Sequence, residues 1–387
     1  MALLPRRGPS LPGLRPLSLT SAAAVAVAML AGCSTVAESQ TPPTQPPSRP
    51  GATNTLADVA GLQVGHYQRM EGGYRTGTTV ILTPEGATAS YDVQGGGPGT
   101  KETDLLVPGG LVTEVHAIVL SGGSAFGLDS ATGVMRWLEE QGKGYPIAGG
   151  VVPIVPAAIL FDLGRGGDFK ARPDAEFGYR AAQAASTATG AVPIGRVGAG
   201  AGARHGLGSA SVVLPNGYTV AAIVGLNPGG SPVDPTTCLP YGLFLELDNE
   251  FNLVTPDPAE CPGAGSRSPR PGIDEPYENS FNTTIALVAT DAPLDQTQAQ
   301  RMAQIANSGL SRSIRPVHNL GDGDAVFAMA TTTPPAPLTN QELHVLYNAA
   351  ADALGRAVVH ALLQDSYCED YPSACRLRGQ EGGPERD

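Results

Sequence analysis

Apolar residues follow two rhythms along this chain. From 340 to 363, Leu343, Leu346, Ala350, Leu354, Val358 and Leu362 recur at spacings of three and four, which places them on one face of a helix. Three further stretches read the same way: 128–141, with Val134, Trp137 and Leu138 on one side; the Ala-rich 175–189; and 295–308, after the turn Ala292-Pro293. Elsewhere the apolar residues gather in short runs rich in Val, Ile, Thr and Ala. These predict strands at 78–82, 88–93, 117–121, 211–214, 218–226, 284–290 and 325–331. Strands are grouped and helices are grouped. Strict alternation of the two is missing, which predicts a layered α+β or mixed α/β fold and not a doubly wound one.

Two stretches keep neither rhythm. The first begins the chain: Arg6, Arg7 and Arg15 precede an apolar run over 22–31, too short to span a bilayer and fitting a signal-peptide core. It ends Leu30-Ala31-Gly32-Cys33, which resembles the lipobox of bacterial lipoproteins, where the cysteine is acylated and becomes the new N-terminus. Residues 34–54 are rich in Pro, Thr, Gln and Ser and read as a disordered tether. The expected organisation is a lipoprotein signal peptide over 1–33, a tether over 34–54 and a folded domain over 55–387, exported and held at the cell envelope by lipid on Cys33. The second stretch, 226–282, carries ten prolines from Pro228 to Pro276 and reads as a long exposed loop.

Composition narrows the partners. With 387 residues, 41% of them hydrophobic, the chain can build a sizeable core, and 50 Gly with 35 Pro point to many turns. A net charge of −12 repels nucleic acid, so none is expected as a partner. Beyond Cys33 there are four cysteines, Cys238, Cys261, Cys368 and Cys375, and an oxidising compartment makes two disulfides the natural reading. Nearest neighbours would pair Cys238 with Cys261 and Cys368 with Cys375; the two other pairings stay open. No CxxC and no matching histidine spacing favours zinc, and neither metal nor cofactor is expected.

Several familiar motifs fail on their context. Gly198-Ala-Gly200-Ala-Gly202-Ala203 has no acidic residue closing a dinucleotide-binding unit, and Gly123-Ser124-Ala125-Phe126-Gly127 has the wrong spacing for a nucleophile elbow. His66, His116, His205, His318, His344 and His360 form no metal-ligand pair.

The informative place is Asn282-Thr283-Thr284, where a polar loop runs abruptly into a β-prone segment. A threonine at a strand start is ordinary by itself, and its hydroxyl needs an adjacent base to react. Scission before Thr283 would supply one, because the freed α-amine, with an ordinary pKa near ~8, would sit beside Oγ. Forty residues later Asp322 and Asp324 stand at the entrance of another strand, on the same side of an extended segment, where they could hold an amine or orient a hydroxyl. Asn227 ends the strand 218–226, where its amide could donate to a developing oxyanion.

Together these residues resemble the L-aminopeptidase/D-esterase family of self-processing N-terminal nucleophile hydrolases, which includes β-peptidyl aminopeptidases and the nylon-oligomer endo-amidase. The resemblance runs from about 56 to 363. It rests on the segments 56–66, 96–106, 117–129, 152–162, 206–211, Asn282-Thr283-Thr284, and 309–318 with Asp322-Gly323-Asp324. It implies a four-layer αββα sandwich, cleavage into an α chain ending at Asn282 and a β chain starting at Thr283, and assembly of several αβ units. By position Thr283 matches the nucleophile, Asn227 an oxyanion or substrate contact, Asp322 and Asp324 the acidic pair, and Tyr145 a tyrosine found at the site in some members. Where some relatives carry a lysine this chain offers Arg204, which cannot act as a neutral base and would serve electrostatically. The resemblance implies a peptide or small-amide substrate and an aminopeptidase. The competing readings are an endo-amidase on oligomeric amides, an acyltransferase of related fold, and a non-catalytic lipid-anchored binding protein.

Overall fold

A computed structural model describes residues 46–263, 281–333 and 335–378. The expected signal peptide, Cys33 and most of the expected tether lie outside the described residues. Along the chain come β1 (Gln63–Arg69), β2 (Thr76–Val93), β3 (Thr100–Lys101), β4 (Glu114–Ser121), α1 (Ser130–Glu140), β5 (Tyr145–Ile147), β6 (Gly150–Val152), β7 (Ala157–Ile159) and α2 (Ala175–Ser186). Then follow β8 (Leu207–Val213), β9 (Thr219–Gly225), β10 (Ile285–Thr290), α3 (Gln296–Ser313), β11 (Ala325–Ala330), α4 (Asn340–Leu363) and the short α5 (Tyr367–Asp370).

The two strands expected at 78–82 and 88–93 are one. β2 is 18 residues long, and its pairing with β4 shifts register between Leu82 and Ala87. Such an irregularity bends a strand, so one strand can serve two layers. Its first half pairs with β1 and β4, its second half with β11, and the sheet runs β3-β7-β4-β2-β11-β10-β9-β8.

Side-chain parity then sorts the layers, because successive strand residues face opposite sides. Val80 and Leu82 of β2, with Ala117 and Val119 of β4, pack against Val134 and Leu138 of α1 and the alanines of α2. Ile81, Ile118 and Leu120 point the other way and meet Ile285, Leu287, Ala289 and Phe327 in a core between the two halves of the sheet. Ala286, Val288 and Val326 face away again, under Leu310 of α3 and Leu354 and Val358 of α4. The result is the αββα sandwich. Each fully buried Leu, Ile, Val or Phe stabilises it by about 1.5–3 kcal/mol. Helices approach the sheet closely where a side chain is missing: a Cβ on Gly65 of β1 would lie 2.3 Å from the Ala181 carbonyl oxygen of α2, and one on Gly208 of β8 would lie 2.0 Å from that of Ala357 in α4.

Two expectations need correction. The globular part starts before residue 55: Arg49 exchanges backbone hydrogen bonds with Val213 (3.2 and 2.8 Å), and Gly51 N–H donates to Ser211 Oγ at 3.0 Å. The proline-rich segment is not simply an exposed loop. Phe251 is fully buried against Val359, Leu362 and Leu363 of α4 and against Tyr367 and Ala374 of the tail. Disulfides join Cys238 to Cys261 and Cys368 to Cys375. Prolines break any long helix there but do not forbid burial, and the segment gains a small core from residues more than a hundred positions away. Among the described residues no helix is long and apolar enough to cross a membrane.

Candidate active site

Three strand ends meet at one edge of the sheet. β10 and β11 are parallel with Ile285 opposite Ala325, and a further bridge joins Asn282 to Asp322, so Thr283 stands level with Gly323 and Thr284 with Asp324. On the other flank β9 is antiparallel with Gly225 opposite Ile285, which brings Asn227 to Thr283. The Thr283 N–H donates to the Asn227 carbonyl oxygen at 2.8 Å. The structure thus gathers Asn227, Asn282, Thr283, Asp322 and Asp324, none more than 3% exposed.

The Thr283 hydroxyl donates to the carbonyl oxygen of Asn282 and accepts from the Gly323 N–H at 3.2 Å. That contact needs a glycine: a Cβ on residue 323 would lie 3.0 Å from Thr283 Oγ1 and 2.7 Å from the Gly97 carbonyl oxygen. The turn carrying Gly323 is itself clamped. Gly97 N–H donates to the Asp322 carbonyl at 2.7 Å, and Gln94 and Gly95 donate to the Asp324 carbonyl at 3.1 and 3.2 Å.

The two carboxylates brace this turn. Asp324 accepts from Thr284 N–H at 2.7 Å, from His318 N–H at 3.1 Å and pairs with His318 Nδ1 at 2.8 Å. Asp322 accepts from Gly229 N–H at 3.1 Å and from the backbone and side chain of Asn319 at 3.2 and 2.8 Å. Burial, and next the charge of Asp324, push the Asp322 carboxyl above its ordinary range, against the hydrogen bonds from Asn319 and Gly229. Neither carboxylate hydrogen-bonds Thr283; both hold the backbone that faces it.

Asn227 is fixed through all its polar atoms. Its Oδ1 accepts from Arg165 Nη1 at 2.5 Å and from Arg204 N–H at 3.1 Å, while Nδ2 donates to the Phe161 carbonyl at 3.0 Å and keeps one hydrogen uncommitted. Arg204 thus reaches the site through its backbone, and its exposed side chain lines a neighbouring cleft. Tyr145 opens the β5–β6 hairpin opposite Val152, and among the described residues no hydrogen bond joins it to this cluster.

Sequence reasoning missed Arg165 and His318. Besides Asn227, Arg165 Nη2 binds the Phe281 carbonyl at 2.6 Å and Asn282 Oδ1 at 2.7 Å, so one guanidinium grips both residues before Thr283. Nothing in Gly164-Arg165-Gly166-Gly167 announces this, because its partners lie 62 to 117 positions away. His318 lacked a metal-ligand spacing; its partner Asp324, six residues on, was the available signal.

The arrangement presents a buried hydroxyl beside the peptide group that precedes it, with the Gly323 N–H bonded to its oxygen and the Asn227 backbone paired with Thr283. Comparison with known proteins agrees with hydrolytic chemistry. Peptidase family S58 matches residues 54–371. An "Uncharacterized aminopeptidase" of Mycobacterium leprae (strain TN) is 44% identical over 351 residues, covering 84% of this chain and 94% of the relative. A 6-aminohexanoate-oligomer endohydrolase of Kocuria sp. (strain KY2) is 29% identical, covering 84% and 88%. Among solved structures a Burkholderia sp. beta-aminopeptidase superposes with a TM-score of 0.60 at 25% identity, covering 81% of this chain and 88% of that one. An L-aminopeptidase D-Ala-esterase/amidase from Ochrobactrum anthropi, described as a variant of the Ntn hydrolase fold, superposes with a TM-score of 0.60 at 20% identity, covering 82% and 87%, which speaks to the fold alone. The four layers, the convergence on Thr283 and the match over most of the chain agree: the protein belongs to peptidase family S58 and is a hydrolase with the Ntn hydrolase fold.

Proposed function

We propose that the chain cuts itself between Asn282 and Thr283 and then hydrolyses peptide bonds as an aminopeptidase, with Thr283 as N-terminal nucleophile. The observation that carries this reading is the Thr283 hydroxyl held against the carbonyl group of Asn282 while Gly323 N–H bonds its oxygen. In self-cleavage Oγ attacks the Asn282 carbonyl carbon, the C–N bond breaks, and the nitrogen takes the proton released by the hydroxyl. Water then hydrolyses the ester, leaving a carboxylate on Asn282 and a free amine on Thr283.

In turnover that amine accepts the Oγ proton as Oγ attacks the substrate carbonyl, and passes it to the departing amine. Water resolves the acyl-threonine. The Asn227 carbonyl, which already accepts from Thr283 N–H, orients the amine, and the uncommitted hydrogen of the Asn227 amide serves the oxyanion. The carboxylates of Asp322 and Asp324 hold rigid the backbone that faces the amine. Support for aminopeptidase action comes from the names of the mycobacterial and Burkholderia relatives. The reading includes export on a lipid attached to Cys33 and assembly of several processed units, both resting on the sequence.

The test is an N-terminal sequence of the smaller fragment of purified protein, expected to begin Thr283-Thr284-Ile285. Thr283→Ala is expected to run as one uncut band on a denaturing gel and to lose hydrolysis. Two bands from that variant, or full activity from an uncut wild type, would refute the mechanism.

A further inference from the structure

Beside Asn282 opens a cleft of about 420 Å³ lined by Arg75, Arg165, Arg196 and Arg204, in a protein whose net charge is −12. Among the described residues, Arg196 alone of the four meets a carboxylate, that of Asp365 at 2.5 Å. Asp365 is also held by His205 Nδ1 at 3.3 Å. Arg165 hydrogen-bonds neutral groups alone, and the side chains of Arg75 and Arg204 make no hydrogen bond or ion pair among the described residues. The other acid nearby, Asp162, is buried behind the wall, where Thr76 Oγ1 and Gly123 N–H bond it at 2.6 and 2.7 Å. Burial presses the Arg165 guanidinium below its ordinary value; Asp162 opposes this and Arg204 adds to it. Gathering like charges at one mouth costs free energy that an incoming anion recovers, and a planar guanidinium suits a carboxylate.

The position of the cleft says which part of a substrate it would meet. In self-cleavage the Asn282 carbonyl is the acyl group handed to Thr283 Oγ. A substrate's acyl group must later take the same place against the same hydroxyl. Arg165 now grips the side chain of Asn282 and the carbonyl before it, and those contacts mark the acyl side. The geometry points to a carboxylate subsite formed by Arg75, Arg165 and Arg204, which selects peptides whose N-terminal residue is acidic. This rests on the proposed use of Thr283.

The experiment compares glutamyl- and glutaminyl-p-nitroanilide, which differ only in a carboxylate and its neutral amide. The processed wild type is expected to favour the glutamyl substrate in kcat/KM by about tenfold or more, as charge-assisted hydrogen bonds allow. That ratio should shrink as salt is raised from about 0.05 to 0.5 M, and should fall several-fold in the double variant Arg75→Gln, Arg204→Gln. A ratio near one in the wild type, or one indifferent to both salt and the double variant, would overturn the subsite and leave the cleft to the new carboxylate of Asn282. Should the double variant not fold, the wild-type ratio and its salt dependence decide. A wild type that is cut but hydrolyses neither anilide is titrated with glutarate and with its monoamide, and equal binding of the two overturns the proposal. Failure to cut at all refutes the use of Thr283 instead, so the two failures are told apart on the gel.

Discussion

On one side of the Asn282–Thr283 peptide, Thr283, Asp322 and Asp324 are each at most 3% exposed, and every carboxylate oxygen there has a donor. On the other side Arg75 and Arg204 stand exposed and Arg165 half-buried in a cleft, and among the described residues the side chains of Arg75 and Arg204 have no hydrogen-bond or ion-pair partner. The acidic side is built from backbone contacts that cannot move without breaking hydrogen bonds. The basic side is built from long side chains reaching toward solvent. Positioning a nucleophile needs the first kind of construction, since small displacements of reacting atoms are costly. Capturing an anion needs the second, since a paired guanidinium has little left to offer.

Variants on the acidic side should therefore cost most. Gly323→Ala places a methyl against Thr283 Oγ1 and the Gly97 carbonyl, and is expected to slow self-cleavage by about 10²-fold. A time course of the cut fraction, read beside the melting temperature, checks this; cutting at the wild-type rate would mean that the turn yields easily. Asp324→Asn keeps one acceptor for Thr284 but turns an amide toward the donors of His318, and should cost about 2 kcal/mol in denaturant unfolding. The smallest effect is expected on the basic side, where Arg75→Gln with Arg204→Gln should change unfolding free energy by no more than about 0.5 kcal/mol. If that pair destabilises the protein more than Asp324→Asn does, the cleft is part of the scaffold and the contrast fails.

Much of this was readable from residue order. The long helix at 340–363 is α4 to the residue, because its apolar spacing and Thr339 cap leave little choice of ends. The strands 117–121 and 284–290 likewise match β4 and β10 closely. The short strands β3, β5, β6 and β7 were invisible, since two or three residues carry no period and owe their state to a neighbouring strand. The apolar runs 78–82 and 88–93 are separated by Pro84, Glu85 and Gly86, yet pairing on either side keeps the chain extended through them. Within the site, Asn227, Thr283, Asp322 and Asp324 stood out because each combines a reactive side chain with a strand end. Arg165 had no such mark, and its place depends on contacts spanning more than a hundred residues.

Taken alone, the order of residues determined the four long helices and the strands with a clear apolar run, because propensity and periodicity act over a few neighbouring positions. It also determined that a hydroxyl, two carboxylates and an amide would stand at strand ends. Only the tertiary structure decided that these ends lie side by side, that Gly323 faces Thr283, and that four arginines share one cleft. Those facts depend on strand pairing and layer packing, where the partner of each residue is chosen by the whole sheet and no local signal can name it.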